Sequence, residues 1–218
     1  MPISELLIVP YKYERPLPDF QEGDDIKFPD ALVRALLEKY TKTGDKVFDP
    51  FTGLGTTFFV CEEMGRVPYG IEADDKRYQW VAERVQSKQH LYHGDSADMG
   101  TFDLPQMNFS ITSPPYMPNW HDWNPLYGGE PAYNGYDRYL KRLQEIYKGV
   151  CKIMQPEATI ILQADNLTNE KFSPLVWDIG KALSEVMTLE GEILVTWSEN
   201  HENKSQFTQC LVFRNRKK

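Results

Sequence analysis

Apolar, β-prone runs alternate with segments of helical periodicity along this chain of 218 residues, and this alternation limits the fold more than any other feature. Strands are predicted at residues 46–49, 67–72, 90–93, 107–112 and 159–163, with helices between them. Such alternation indicates βαβ units, which build a mainly parallel sheet with helices on its faces. Because ligands of such sheets bind where strands end, a site is expected at the carboxyl ends of these strands.

The two ends of the chain depart from this alternation. Residues 191–197 and 207–214 read as two strands that form an antiparallel hairpin. Residues 1–27 include Pro10, Pro16 and Pro18 and an acidic patch, and they are predicted to be an extended arm rather than a folded unit. Residues 28–218 then form a single domain.

Composition narrows the class of protein. Hydrophobic residues make up 41% and charged residues 26%, which is ordinary globular composition. No apolar run is long enough to span a bilayer, so no membrane association is expected. Cys61, Cys151 and Cys210 are too few and too scattered for disulfides or a metal site, which indicates an intracellular, cytoplasmic protein without a metal. The net charge of −8 argues against broad, non-specific binding to nucleic acid.

The first strand end carries the motif DPFTGLGTT, residues 49–57. Gly53 and Gly55 permit a tight turn and the close approach of a ligand to the backbone. A Gly-Lys-Ser/Thr sequence is absent, which excludes a phosphate-binding P-loop, and Phe58 replaces the third glycine of a dinucleotide fingerprint. The acid at Asp49 suits the ammonium end of a cationic ligand better than it suits a pyrophosphate.

Two further acids follow the next strands. Glu72 lies 23 residues after Asp49, close to the spacing at which nucleotide folds place an acid that binds ribose hydroxyls. Asp95 follows the third strand, where it can accept a hydrogen bond from an adenine amine. Their neighbours Ala73 and Ser96 are expected in the same site.

The sequence Thr112-Ser113-Pro114-Pro115-Tyr116 follows the fourth strand. The two prolines fix φ and remove two N–H donors, so this segment continues neither a strand nor a helix. It is expected to be rigid and exposed. It presents a hydroxyl, backbone carbonyls and an aromatic ring.

Together, DPFTGLGTT and TSPPY resemble the S-adenosylmethionine-dependent amino-methyltransferases, which modify the exocyclic amine of cytosine or adenine. The resemblance implies a Rossmann-like class I methyltransferase fold, with a mainly parallel seven-stranded sheet and a C-terminal antiparallel hairpin. It implies S-adenosyl-L-methionine as the cofactor. The cofactor-binding residues it implies are Phe28, Pro29, Asp49, Pro50, Phe51, Gly53, Gly55, Thr56, Glu72, Ala73, Asp95 and Ser96.

The same resemblance implies that Ser113, Pro114, Pro115 and Tyr116 are the catalytic residues. Ser113 Oγ and the Pro114 carbonyl would accept the two N–H bonds of the target amine, and Tyr116 would stack on the base. A base inside a duplex would first be flipped out. In this family, serine at the first of these positions favours cytosine N4 over adenine N6. The resemblance also implies a place in a restriction-modification system.

Candidate nucleic-acid contacts lie next in the chain. Trp120 and Trp123 belong to an aromatic loop, residues 117–136, that suits base stacking. Arg138 and Arg142 on the following helix are expected to contact phosphates. DNA is the favoured partner, with a nucleoid location if it is the substrate. The catalytic core takes up residues 28–218 without a separate target-recognition domain, so a homodimer would supply more surface for gripping a duplex.

Two other functions stay open. An RNA methyltransferase acting on an unpaired loop needs no duplex-recognition module. A catalytically silent cofactor-binding subunit is the second, although the intact segment of residues 113–116 argues against it. The sequence leaves open the base, the polymer, the recognition site, a restriction partner and the oligomeric state.

Overall fold

The computed structural model describes residues 3–11, 14–20, 29–127, 131–168, 170–198 and 207–216. Within these residues, eight strands form a single sheet and five α-helices connect or cover them. The strands are β1 (Ile3–Val9), β2 (Lys46–Asp49), β3 (Val67–Glu72), β4 (Leu91–His93), β5 (Met107–Thr112), β6 (Met154–Ala164), β7 (Thr188–Trp197) and β8 (Phe207–Arg214). The helices are α1 (Asp30–Tyr40), α2 (Thr56–Glu63), α3 (Asp75–Ala82), α4 (Tyr136–Ile153) and α5 (Leu175–Leu183).

The strand order is β1-β7-β8-β6-β5-β2-β3-β4. Strands β2 to β6 pair in parallel, and β8 runs antiparallel to both of its neighbours, β6 and β7. The predicted α/β class and the C-terminal hairpin are therefore confirmed. The chain adds β3 and β4 on one side of β2, and β5 and β6 on the other, so the order reverses between β2 and β5. In open sheets of this kind, ligands bind at such a reversal.

The amino-terminal segment differs from the prediction. Residues 3–9 form β1, which pairs in parallel with β7 from Ile3↔Gly191 to Val9↔Trp197, so the sheet has eight strands and not seven. Val9 is buried while Leu6 and Ile8 are exposed, because successive side chains of a strand point to opposite faces of the sheet and Leu7 and Val9 share the face that packs against the core. The prolines that suggested an irregular arm follow this strand and do not interrupt it.

Two apolar clusters fill the two faces of the sheet. One contains Tyr139 and Tyr147 of α4 together with Ile160 and Leu162 of β6. The other contains Leu32 and Leu36 of α1 together with Ile161 of β6. Successive residues of β6 thus enter opposite clusters, which explains why this strand reads as an unbroken apolar run.

A buried carboxylate joins three elements at the point where the order reverses. Asp49, the last residue of β2, is 1% exposed. Its oxygens accept hydrogen bonds from Phe51 N at 3.0 Å, Thr57 Oγ1 at 2.6 Å and Thr112 Oγ1 at 2.6 Å. Burial raises the pKa of Asp49 to about 6, and these three donors oppose that rise. The carboxylate therefore ties the loop after β2 to α2 and to the end of β5.

Replacing Thr112 with valine should destabilise the protein, since it removes a donor from this buried carboxylate at nearly constant side-chain volume. A hydrogen bond to a charged group is worth about 1.5–3 kcal/mol, and a loss of that size in the free energy of unfolding is expected at pH 7.5. Chemical denaturation measures it. Ser110→Ala is the control, because within the described residues the buried Ser110 hydroxyl has no hydrogen-bond partner. Equal stability of Thr112→Val and wild type would contradict the role given to Asp49.

The raised pKa of Asp49 also predicts how stability depends on pH. The folded protein holds this proton up to about pH 6, whereas an unfolded chain releases it near pH 4. Stability contributed by this group is therefore present below about pH 4 and is lost as the pH rises to about 6. Relative to wild type, Asp49→Asn should gain on the order of 3 kcal/mol between pH 4 and pH 7. Parallel stability curves for the two proteins, measured by denaturation across this range, would refute the assignment.

Candidate active site

An open cleft of about 910 Å³ lies at the carboxyl ends of β2, β3, β4 and β5. Its walls come from four segments that follow these strands and from the aromatic loop. The lining includes Pro50, Phe51, Thr52, Gly53, Thr56, Glu72, Ala73, Asp95, Ser96, Ser113, Pro114, Pro115, Tyr116, Trp123, Pro125, Leu126 and Tyr127. Most of the residues predicted for the cofactor and all four predicted catalytic residues therefore lie around one space.

The glycine-containing loop turns from β2 into α2. Gly53 and Gly55 have positive φ values of 56° and 75°, and Gly55 is the N-cap of α2. A Cβ at Gly55 would lie 2.8 Å from Val81 Cγ1, so this position requires glycine for space as well as for conformation. Gly55 faces the interior, while Pro50, Phe51, Gly53 and Thr56 border the cleft.

Asp49 does not border the cleft, contrary to the prediction that it faces a ligand ammonium. Its carboxylate points inward, where Phe51 N, Thr57 and Thr112 donate hydrogen bonds to it. The residue shapes the loop around the cleft instead of lining it. Thr57 and Thr112 were missed as partners, although both belong to the motifs that the sequence singled out.

Glu72 closes the next strand and lies at the cleft wall. Its Oε2 accepts a hydrogen bond from Gly53 N at 2.6 Å, and its Oε1 accepts one from Asp74 N at 2.8 Å. Burial raises the pKa of Glu72, and the two backbone donors oppose that rise. The carboxylate thus holds the glycine loop against β3 while each oxygen keeps a second lone pair for a ligand hydroxyl.

Asp95 and Ser96 follow β4. Asp95 Oδ1 accepts a hydrogen bond from Ala97 N at 2.8 Å, and its Oδ2 pairs with Arg142 Nη2 at 3.0 Å. The Ser96 hydroxyl donates to the Pro50 carbonyl. The end of β4 is therefore fastened both to the glycine loop and to α4.

The two remaining predicted cofactor residues, Phe28 and Pro29, precede α1 in the sequence. Phe28 is outside the described residues. Pro29 is buried at the start of α1, and its carbonyl accepts a hydrogen bond from Leu32 N at 3.0 Å. Pro29 is not among the residues that line the cleft.

The segment Ser113–Tyr116 faces the glycine loop across the cleft. Ser113 Oγ donates to Tyr116 Oη at 3.3 Å, and Tyr116 Oη donates to the Gln163 carbonyl at 3.5 Å. Tyr139 Oη of α4 donates to the Pro115 carbonyl at 2.9 Å. Burial raises the pKa of Tyr116 well above its usual value, which keeps this phenol neutral. The segment is therefore supported from β6 and from α4.

The aromatic loop contributes a different set of residues than predicted. Trp123 is 56% exposed and lines the cleft, whereas Trp120 is half-buried and does not line it. Asn124, which the sequence did not single out, is fully buried. Its side chain accepts from Leu126 N at 3.0 Å and donates to the Tyr133 carbonyl at 3.1 Å. These bonds place Leu126 and Tyr127 at the cleft.

The two arginines predicted to contact phosphate differ in their surroundings. Arg138 is exposed on α4. The Arg142 side chain is only 19% exposed, and it pairs with Asp95 and with Glu145. The geometry therefore does not favour a phosphate contact for Arg142, because its guanidinium is already engaged at the rim of the cleft.

Neither a metal cluster nor a membrane span is found in the described part of the chain. No group of three or more His, Cys, Asp or Glu side chains among these residues is placed to hold a metal ion. None of the described helices combines the length and the apolar character that a membrane span requires.

Comparisons with known proteins bear on residues 10–84, which match the family described as DNA methylase. The type II methyltransferase M.XycI of Xanthomonas campestris pv. cyanopsidis is 38% identical over 61 residues. Those residues make up 28% of this chain and 20% of that protein. The match to this curated relative thus spans about a fifth of its length.

Solved structures resemble the chain over most of its length. TrmN from Thermus thermophilus superposes with a TM-score of 0.61 at 18% identity, covering 85% of this chain and 48% of that one. A Streptococcus mutans protein described as a methyltransferase, solved in complex with SAH, gives a TM-score of 0.52 at 10% identity. It covers 87% of this chain and 99% of its own.

These comparisons agree with the two motifs. The matched residues 10–84 contain the glycine loop and Glu72, and the solved structures share the fold that surrounds the cleft. The resemblance to the amino-methyltransferases is thereby confirmed: residues 10–84 match the DNA methylase family, and the chain has a Rossmann-like class I methyltransferase fold.

Proposed function

We propose that this protein transfers a methyl group from S-adenosylmethionine to the exocyclic amine of a base in DNA, with cytosine N4 favoured over adenine N6. One observation carries the proposal. The glycine loop of the DNA methylase family and the segment Ser113–Tyr116 line the same cleft. A cofactor held by the first would lie beside a base held by the second.

The residues around the cleft fit the cofactor that the family and the fold imply. Glu72 ends β3 and Asp95 follows the end of the neighbouring β4, where their carboxylates suit the donor groups of a ribose and an adenine. Gly53 leaves room for a ligand beside the backbone. When bound, S-adenosylmethionine would supply a methyl group on a sulfonium sulfur: the S–CH3 bond breaks as the C–N bond forms, S-adenosylhomocysteine leaves, and the amine proton passes to solvent.

Ser113 and Pro114 would hold the amine. The lone pair of an aromatic amine is delocalised into the ring, so the nitrogen is a poor nucleophile until its geometry changes. With one N–H bonded to Ser113 Oγ and the other to the Pro114 carbonyl, the nitrogen is drawn toward tetrahedral geometry. Its lone pair is then localised on nitrogen instead of being shared with the ring, and it can attack the methyl carbon. Positioning of this kind can lower a barrier by about 7–11 kcal/mol in favourable cases.

The surroundings of Ser113 support this role. Tyr116 Oη accepts from the Ser113 hydroxyl, which directs the hydroxyl proton toward Tyr116 and leaves the oxygen lone pairs available to accept from a base amine. The Tyr139 bond to the Pro115 carbonyl holds the proline pair from the opposite side. The acceptors of the segment are thus pre-positioned before a base arrives.

DNA is favoured over RNA because of the family matched by residues 10–84 and the type II methyltransferase similar to it. Trp123 supplies an exposed ring at the cleft for base stacking. Arg138 supplies an exposed cation on the adjacent helix. With DNA as the substrate, a base inside a duplex would be flipped into the cleft.

Ser113→Ala should lower the rate of methyl transfer to DNA about 100- to 1,000-fold, the usual loss when one positioned group is removed. The dissociation constant of S-adenosylhomocysteine should change little, because the glycine loop and Glu72 are intact. The assay incubates the protein with labelled S-adenosylmethionine and separate DNA and RNA pools. Tyr116→Phe tests the hydroxyl while keeping the ring, and Ser4→Ala, exposed on β1, is the matched control.

The pools separate the two polymers in the same experiment. Label in DNA that disappears in Ser113→Ala supports the proposal, whereas label in RNA alone replaces DNA with RNA as the substrate. Full turnover by Ser113→Ala would remove the catalytic role assigned to this segment. No label in either pool from wild type that binds S-adenosylhomocysteine would favour a silent cofactor-binding subunit.

A further inference from the structure

Arg142 connects two walls of the cleft that the chain builds separately. Its Nη2 lies 3.0 Å from Asp95 Oδ2, at the end of β4. The carbon of its guanidinium lies 4.5 Å from the ring centroid of Tyr127, in the aromatic loop. Both partners line the cleft. A single side chain of α4 thus contacts the expected cofactor acid and an aromatic ring on the other wall.

The aromatic wall, which consists of Trp123, Pro125, Leu126 and Tyr127, is fastened as a unit. Asn124 lies within it, fully buried, and bonds to Leu126 N and to the Tyr133 carbonyl. Tyr127 stacks on Tyr133 with centroids 4.4 Å apart and planes at 18°. Tyr127 is therefore linked through Tyr133 and Asn124 to Leu126 of the same wall.

The contact of Arg142 is specific for a guanidinium. The planar fork donates to a carboxylate while its face lies on an aromatic ring, an arrangement that a lysine ammonium cannot reproduce. The Arg142 side chain is 19% exposed and that of Asp95 is 40% exposed, so the guanidinium is shielded from water while the carboxylate stays accessible to a ligand. Glu145 Oε2, 3.5 Å from Nη1, steadies the other arm.

We propose that Arg142 is a positioning residue that couples cofactor occupancy to the order of the aromatic wall. The inference rests on the proposed function, since it takes the ligand at Asp95 to be the cofactor. A ligand that donates to Asp95 fixes this carboxylate, and the ion pair then fixes the guanidinium on which Tyr127 rests. If the cofactor has already ordered the aromatic wall, the nucleic acid does not lose the free energy of ordering it. The nucleic acid therefore binds more tightly once the cofactor is present.

Arg138 offers a matched comparison. It lies one turn before Arg142 on α4, but its side chain is exposed. Charge lost at Arg138 should weaken nucleic-acid binding equally with and without cofactor, because none of the contacts among the described residues links Arg138 to the cleft. Charge lost at Arg142 should instead remove the difference in nucleic-acid affinity between the protein with cofactor and the protein without it.

The test measures hydrogen exchange in peptides covering residues 120–127, with and without saturating S-adenosylhomocysteine. Wild type and Arg138→Ala should exchange about tenfold more slowly with the ligand, a ratio within the usual range of coupling. Arg142→Ala, Arg142→Lys and Tyr127→Leu should show little ligand-dependent protection. The affinity for a fluorescent single-stranded oligonucleotide should rise at least about fivefold with S-adenosylhomocysteine in wild type, and hardly at all in Arg142→Ala.

The possible outcomes separate the coupling from the proposed function. Wild type that binds S-adenosylhomocysteine without protecting residues 120–127 overturns the inference and leaves the proposed function standing. Protection that persists in Arg142→Ala overturns it as well. Circular dichroism shows whether Arg142→Ala folds. If it does not, Arg142→Lys and Tyr127→Leu replace it in the test, and ligand-dependent protection that persists in both of them overturns the inference. Wild type that does not bind S-adenosylhomocysteine contradicts the proposed function, and the inference fails with it.

Discussion

The cleft depends on one buried carboxylate. The pairing of β2 with β5 runs from Val47↔Phe109 to Phe48↔Ser110, and Asp49 and Thr112 lie just beyond it. Their side-chain bond of 2.6 Å joins the two strands where backbone pairing has ended. The glycine loop and the segment Ser113–Tyr116 leave the sheet from these two residues. Asp49 therefore sets their separation, and a buried charge is retained because its donors belong to both halves of the cleft.

The elements could be predicted from the sequence because each strand and helix has its own local pattern. The period of apolar residues located β2 to β8, and the residues at the strand ends located the cleft. The edge strand β1 was missed, since prolines close behind it resemble an irregular segment. One short apolar run suffices at a sheet edge, where it pairs on a single side.

Side-chain direction was the part that spacing could not supply. Asp49 sits at the expected position of a ligand-binding acid, yet its carboxylate turns inward to Thr57 and Thr112. Arg142 reads as one cation in a basic strip, yet it pairs with Asp95, 47 positions away in the chain. Both outcomes depend on which elements become neighbours in the fold, and no local pattern encodes that.

The glycine loop and the Ser113–Tyr116 segment are proposed to serve one reaction in one cleft, and every other functional assignment rests on this. A crystal structure of the complex with S-adenosylhomocysteine tests it most directly. We expect ribose hydroxyls at Glu72, the adenine amine at Asp95 and the sulfur facing Ser113 and Pro114. A ligand bound outside this cleft, or with its sulfur directed away from Ser113, would contradict the shared site.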